Sequence, residues 1–506
     1  MNIRQLIVPA VAVGIAFGAV PAHADKASDT LRWASNSEPD NFDMYMNTLR
    51  EGIIMGRHVW DSLMEVDPEN GDFRPSLAKS FKWIDPTTIE FELNEGIKFH
   101  NGEEFNADDV VFTMNYVADP ANKVTAISRI QFVAGAEKVD DYTVRVKLKS
   151  QFPAAMQYLS SVAVIYPNEY YGKVGPDGMS KEPVGTGPYR ATNIDYGNRM
   201  EFELFEGYEH GPKNATIGKM VFRRLEERNT QLAELMSGGL DWIWRVPPDQ
   251  ARQLEGRDGL TVTQGATMRI GFLTFDVQGK TGGPDDNPML NKKVREAISH
   301  AIDREQIAKQ LMGPAADVLH VFCYPTQFGC SDEGARRYEY DPDKSKELLA
   351  EAGYPNGFST SFHAYRDRPI AEAIIGNLSA IGVRPQLTYV SSGAVRKLRR
   401  EQGLRLYFGT WGSSSINDVT AVLGNWFQGG PDDQAKDQKV IDLMEKGNTT
   451  DEEVRKEAYS AALQRIAEEA FALPLFNWAY NYAYSDNLEF TPSPDEVPRF
   501  WNARWK

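Results

Sequence analysis

Between Val59 and Val117 the chain sets out a strand, a turn and a helix start in series, and each piece follows from its own chemistry. Ile89, Phe91 and Leu93 alternate with Glu90, Glu92 and Asn94, the period-two pattern of a strand with one dry face and one wet face. Asn101-Gly102 is a turn signal, because Gly takes positive φ at little cost. Asn106 opens Asn-Ala-Asp-Asp, where a capping side chain meets an acidic residue three positions on, and an apolar run from Val110 follows. The alternation returns at Val144, Val146 and Leu148 and at Met200, Phe202 and Leu204, which favours sheets with one solvated face. Helical spacing governs Val294, Ala297, Ile298, Ala301 and Ile302, with a second helix start at Asp303 to Gln306. The run from Thr450 to Ala470 predicts a long helix, with Thr450 and Glu453 as its capping box.

At 506 residues the chain is long enough for two or three domains. Its 71 acidic against 55 basic residues give a net charge of −16, which argues against a nucleic-acid partner, since phosphate contacts need concentrated Lys and Arg. Met1 to Ala24 is expected to be a signal peptide: Arg4 precedes the apolar stretch Leu6 to Val20, and Ala22-His23-Ala24 ends it. That stretch, about 15 residues, is shorter than the about 20 needed to span a bilayer. No Cys follows it to take a lipid. A mature protein starting at Asp25, exported to the periplasm without a lipid anchor, is the expectation. The two cysteines, Cys323 and Cys330, fit a disulfide in that compartment, with two buried thiols as the alternative; metal partners at suitable spacing are missing.

The segment Val59 to Val117 closely resembles the opening signature of the peptide/opine/nickel class (family 5, cluster C) of extracytoplasmic solute-binding proteins, which serve ABC importers. Pro183-Val184-Gly185-Thr186-Gly187-Pro188-Tyr189, the stretch from Asn291 to Ile307, and Tyr340 to Phe358 are further matches. The Gly185-x-Gly187 pair lacks the third Gly or the Lys-Ser/Thr of a phosphate loop, and Pro188 removes an amide donor, so it is read as a tight, backbone-exposing turn near a cleft. The resemblance implies an α/β, two-lobe periplasmic binding protein fold (type II, cluster C) with mixed sheets and an extra subdomain in lobe one. Thr267 to Gln278 is similar to the family's crossing strand, and Leu473 to Phe476 to its return strand. The expected division is 25–277 for the first part of lobe one, 278–482 for lobe two and 483–506 for a return segment to lobe one.

The resemblance also supplies candidate ligand contacts. The loop holding Ser37, Glu38 and Asp40 borders the cleft in the family, although composition alone makes it a surface turn. Tyr365, Arg366 and Arg368 stand near the family's ligand-touching Arg and Tyr. Trp244 and Arg245 are candidates on their own chemistry, since planar faces stack and guanidinium holds carboxylate; core packing is the competing use, and the expected one for Trp242 and Ile243. Trp411 opens the segment that departs from the family. Dipeptide-binding relatives carry an Asp three residues beyond this Trp, where it accepts the ligand's ammonium, and an Asp-Pro shortly after. Here Ser414 holds the first place and Asn417-Asp418 the second. A buried ammonium without a carboxylate is costly, so free dipeptides are expected to bind poorly unless Asp418 substitutes.

No Gly-x-Ser-x-Gly, His-Glu-x-x-His or Walker sequence occurs, and the seven histidines are scattered. The chain is therefore expected to be no enzyme and to need no cofactor or metal. It is expected to act as a monomer that closes around an opine, a sugar conjugate or a short peptide and delivers it to a membrane permease. A dipeptide or oligopeptide binder proper is the runner-up, and a secreted hydrolase the distant third.

Overall fold

A computed structural model describes residues 28–283 and 286–506; the expected signal peptide 1–24, and Pro284 and Asp285 of the polar break, lie outside the described residues. Its frame is a ten-stranded mixed sheet that runs through both halves of the molecule. The order is Arg384–Tyr389, Ser359–Ala364, Leu406–Trp411, Leu260–Phe275, Ala472–Ser485, Trp242–Val246, Thr30–Ser35, Lys219–Arg224, Arg199–Leu204 and Tyr189–Asp195. The two long strands at the centre, Leu260–Phe275 and Ala472–Ser485, are the members shared by both halves. They pair antiparallel from Leu260 opposite Ser485 to Ala266 opposite Ala479, lose register, and resume with Ile270 opposite Asn477. Beyond the break the crossing strand also takes Leu406–Trp411 as a partner. A break at one level in two adjacent strands is a local bend in the sheet, and it marks where one lobe hands over to the other.

The extra unit of lobe one is a four-stranded antiparallel sheet, Ala78–Asp85, Thr88–Leu93, Thr143–Leu148 and Val133–Asp140. Ile89, Phe91, Leu93, Val144 and Val146 are buried while Glu92 is exposed, as the alternation requires. Helix Ala107–Ala118 packs on this sheet through Val110 and Met114. Its capping box is formed: Asn106 accepts from the Asp108 amide at 2.7 Å, and the Asp109 carboxylate accepts from the Asn106 amide at 2.9 Å.

Two local expectations need correction. The long helix spans Glu452–Glu468 and is capped by Asp451, not Thr450: the Asp451 carboxylate accepts from the amides of Glu453 and Val454 at 3.1 and 3.2 Å. A carboxylate is the better acceptor at the positive end of a helix. The Gly185–Gly187 turn is buried, not exposed. A Cβ on Gly185 or Gly187 would fall 2.0 Å or 2.5 Å from the Val59 or His58 carbonyl oxygen, so the turn seats bare backbone against the end of helix Arg50–Val59. His100 belongs to the same packing, with Nε2 2.8 Å from the Gly187 oxygen; burial lowers its pKa to about 4.

The chain's tail returns to lobe one. Phe500 packs against Trp33 and Trp242, with ring centroids 5.5 and 5.0 Å away, and Trp501 packs on buried His58 at 4.6 Å.

Candidate solute-binding cleft

At the break in the two long strands the chain turns its polar groups toward the tail. There the Met268 amide turns to the Pro494 oxygen at 2.7 Å, and the Thr267 hydroxyl donates to the Trp478 oxygen at 2.9 Å. The next side chain, Arg269, is thereby aimed at the tail, where it donates from Nε to Glu496 Oε1 at 2.7 Å and from Nη2 to Oε2 at 3.1 Å. Burial alone would depress Arg269, but Glu496 carries it above its ordinary value. Burial alone would raise Glu496; Arg269 and Arg50 hold it down at about 2.

Arg50 enters from lobe one as the first residue of helix Arg50–Val59. It donates to Ser415 of lobe two, to the Asp495 oxygen at 3.3 Å and to Glu496 Oε2 at 3.4 Å. A cation at the positive end of a helix is unfavourable, and burial lowers Arg50, with Arg269 and Arg245 repelling it. Such a placement sacrifices stability for position.

Two further guanidiniums complete the group. Arg245 lies over the Trp244 ring at 3.9 Å and the Tyr480 ring at 5.2 Å, in a left-handed backbone conformation (φ 54°), and its buried Nε has no partner. Arg366 lies 5.1 Å from the Trp478 ring centre, pairs with Asp367 and reaches the Thr410 hydroxyl at 3.3 Å, beside Tyr365, whose own hydroxyl is 3.1 Å from it. Four arginines thus face Glu496 and Asp367, while Asp495 is held separately by Arg499 through contacts of 2.8 Å. The cleft has a surplus of positive charge in a chain whose overall charge is −16.

The candidates read from sequence divide by place. Trp244, Arg245, Tyr365 and Arg366 are brought together here, with Trp244 only 1% exposed beneath Arg245. Trp411 is half-buried and donates from Nε1 to the Ala421 oxygen at 2.9 Å. Ser414 is exposed, in the middle of three consecutive left-handed serines, Ser413, Ser414 and Ser415 (φ 49°, 52° and 66°). Asn417 is buried, with its amide unpartnered. Asp418 is buried with both oxygens engaged, one by Arg455 at 2.6 Å and the other by the Thr420 amide and hydroxyl at 2.9 and 2.7 Å. Glu38 lies at the far side of lobe one's sheet, accepting from the Gly197 amide at 2.7 Å and facing Arg224, with Ser37 and exposed Asp40 in the same loop. Arg368 is turned outward onto Glu372 at 2.8 Å. Cys323 and Cys330 form a disulfide, and their loop clamps the 416–419 segment: Phe328 donates to the Asn417 oxygen and accepts from the Val419 amide, both at 3.1 Å.

Arg50, Arg269, Thr410, Tyr480 and Glu496 escaped the sequence reading. For Arg269 a signal existed, a lone charge within the apolar stretch Thr267 to Phe275. Glu496 had none, because its partners are over two hundred residues away in the chain. Among the described residues no group of three or more His, Cys, Asp or Glu is placed to hold a metal, and no helix is long and apolar enough to cross a membrane.

Residues 72–434 match the family model for bacterial extracellular solute-binding proteins, family 5. The chain is 28% identical over 502 residues, covering 94% of both chains, to the glutathione-binding protein GsiB of Shigella flexneri serotype 5b. Among solved structures it is similar to the ABC transporter substrate-binding protein CtaP of Listeria monocytogenes (TM-score 0.82, 22% identity, 94% of this chain and 99% of that one). It is also similar to the binding protein AgaA of A. tumefaciens R10, solved with agropinic acid (TM-score 0.72, 24% identity, 94% and 99%). These likenesses extend over both lobes, crossings included, and the match to the family model runs from the extra sheet of lobe one deep into lobe two. The chain belongs to the bacterial extracellular solute-binding proteins, family 5.

Proposed function

We propose that the protein captures an acidic organic solute, an opine, a sugar conjugate or a short acidic peptide, and gives it up chemically unaltered to a membrane permease. The observation that carries this reading is the surplus of buried guanidinium around Arg269, because a carboxylate is the group that Arg245, Arg366 and Arg50 are shaped to hold. Glutathione and agropinic acid, the solutes in the names of two similar proteins, are both acids. Trp411 and Tyr365 are the proposed flat and polar walls, with Trp244 backing Arg245 from beneath and Ser37, Glu38, Asp40, Arg368, Ser414, Asn417 and Asp418 at greater remove.

The protein works as a periplasmic monomer, exported by segment 1–24, with lobe one formed by 25–277 and 483–506 and lobe two by 278–482. The change of partners along the two long strands supports two crossings between the lobes, and it falls at 266–270 and 477–479, inside these strands. Closure around the solute, with release on opening, needs no catalysis, cofactor or nucleic acid. The solute must favour the closed form, since equal affinity for open and closed states shifts nothing.

Thermal shift followed by calorimetry with glutathione, agropinic acid and the neutral dipeptide Met-Leu tests the proposal, because a ligand raises apparent stability by RT ln(1 + [L]/Kd). An acid binding at micromolar Kd with Met-Leu far weaker is expected. Tight binding of Met-Leu with no response to any acid would favour a dipeptide binder, and turnover of a bound solute would end the transport reading.

A further inference from the structure

A second compartment lies beyond the arginine group, where lobe two meets the extra sheet of lobe one. It is a crevice of about 400 Å³, within the size range of small-molecule sites. Phe81 and Trp83 of lobe one form one wall with Met156, and Phe328, Asn417 and Arg455 of lobe two form the other. Asn417 is 2% exposed, and neither its Nδ2 nor its Oδ1 has a partner; Arg455 is 7% exposed, and its Nε is likewise unspent while Nη2 serves Asp418. Buried polar atoms are normally paired, so an amide with donor and acceptor both idle on the wall of a cavity has the complement of another amide. The walls that face each other across it are aromatic, with polar residues such as Asp72, Gln157 and Glu452 at its rim: Phe328 lies under the Arg455 guanidinium at 4.4 Å, and Phe81 and Trp83 are half-buried. Bare backbone brings the lobes this close, for a Cβ on Gly71 (φ 79°) would fall 2.9 Å from Asn417 Nδ2.

This compartment is tied to the arginine group through the chain. Ser415 holds Arg50, and Asn417 is two residues on, a span of at most about 7 Å along the backbone. We infer that the solute is bipartite: its acidic end sits among the arginines, a peptide-like amide pairs with Asn417, and an apolar or aromatic group fills the space between Phe328 and Trp83. The inference rests on the acidic-solute reading for one end only. The other end stands on the crevice and its idle amide.

The test is calorimetry on the full chain with benzoyl-glycine, benzoyl-diglycine and benzoyl-triglycine against their acetyl counterparts. The two series share the carboxylate and amides and differ in the ring. At one length the benzoyl compound is expected to bind at least about tenfold tighter than the acetyl one. Met156→Trp, which fills the crevice, should cut that advantage to about twofold or less, and Asn417→Leu, which keeps the bulk and removes the amide, should weaken both series at least about tenfold. Trp83→Ala, at a half-buried position, serves as the third variant should the others not fold. A benzoyl advantage of twofold or less at every length, an advantage that survives in Met156→Trp and Trp83→Ala, affinities of both series unchanged in folded Asn417→Leu, or no binding by either series at millimolar concentration overturns the compartment. Arg366→Ala separates the two readings. If it leaves the affinity of both series unchanged while the ring still counts, the acidic reading fails and the compartment stands; if it weakens both series and the ring never counts, the reverse holds.

Discussion

Arg269 and Glu496, 227 positions apart in the chain, form a two-point ion pair at 2.7 and 3.1 Å where the long strands lose register. Because Arg50 leans on the same carboxylate, Glu496 is the counter-charge for both lobe one's helix and the crossing strand. Glu496→Gln leaves two buried guanidiniums without that charge, and removing one partner of a buried pair typically costs about 3 kcal/mol or more. Urea unfolding should show this loss in the free protein and a smaller one with a saturating acidic solute, which supplies the missing charge. An equal loss with and without solute would place Glu496 outside the solute's reach.

Acid should destabilise the protein in two stages. His58 is fully buried, and burial lowers its pKa to about 3; His100 falls to about 4 for the same reason. Below pH 6.5 the unfolded chain binds protons that the folded one refuses, so stability falls as pH drops, at about 1.4 kcal/mol per pH unit for each such group. Glu496 and Asp495, held at about 2 by their arginines against burial, add their loss between about pH 4.5 and 2. Asp109, raised by burial to about 6, acts in the opposite sense and is stabilising when protonated. Denaturant midpoints from pH 8 to 4 should decline with an onset near 6.5, and His58→Gln, where it folds, should flatten the upper stage.

Arg366→Ala and Arg245→Ala should each weaken an acidic solute by about 10- to 100-fold, the worth of one charge-assisted hydrogen bond. Raising salt should weaken wild type far less than a surface ion pair would suggest, since the cleft is buried. Calorimetry with glutathione reads both effects; loss of less than twofold in both variants would remove these arginines from the site.

Ser414→Asp should restore an ammonium acceptor. Position 414 is exposed and left-handed, a conformation that Asp takes more readily than Ser, so the change carries little folding cost. Affinity for Met-Leu should rise at least about tenfold and affinity for an acidic solute should fall. Dipeptide affinity already high in wild type, and unchanged in both this variant and Asp418→Asn, would contradict the assignment.

Reducing Cys323–Cys330, or replacing both by Ser, should cost about 2 kcal/mol on loop-entropy grounds and loosen the segment that its loop clamps. Hydrogen exchange at 413–419 should quicken ahead of the rest of lobe two. Uniform exchange through the lobe would mean that the bridge holds nothing local.

The elements that were legible in the sequence are those whose signal is local. Ile89, Phe91 and Leu93 declared a strand by alternation, and Asn106 declared a helix by its side chain. The buried Gly185–Gly187 turn was misjudged because two glycines look alike whether they face water or the end of a helix; the difference lies at His58 and Val59. The cleft was half legible. Arg245 beside Trp244 and Arg366 beside Tyr365 are adjacent in sequence, so their chemistry could be read together. Arg50 and Glu496 meet only through the fold, and no pattern in either neighbourhood foretells the other.

The two lobe crossings run side by side and fail at the same level, which leaves the molecule a single seam. A body with one seam opens along one line, and the Arg50 to Ser415 contact lies across that line. Opening along it must part Arg50 from Ser415, and Ser415 from the Asp495 oxygen, so the loop of left-handed serines is the latch that whatever empties this protein has to lift.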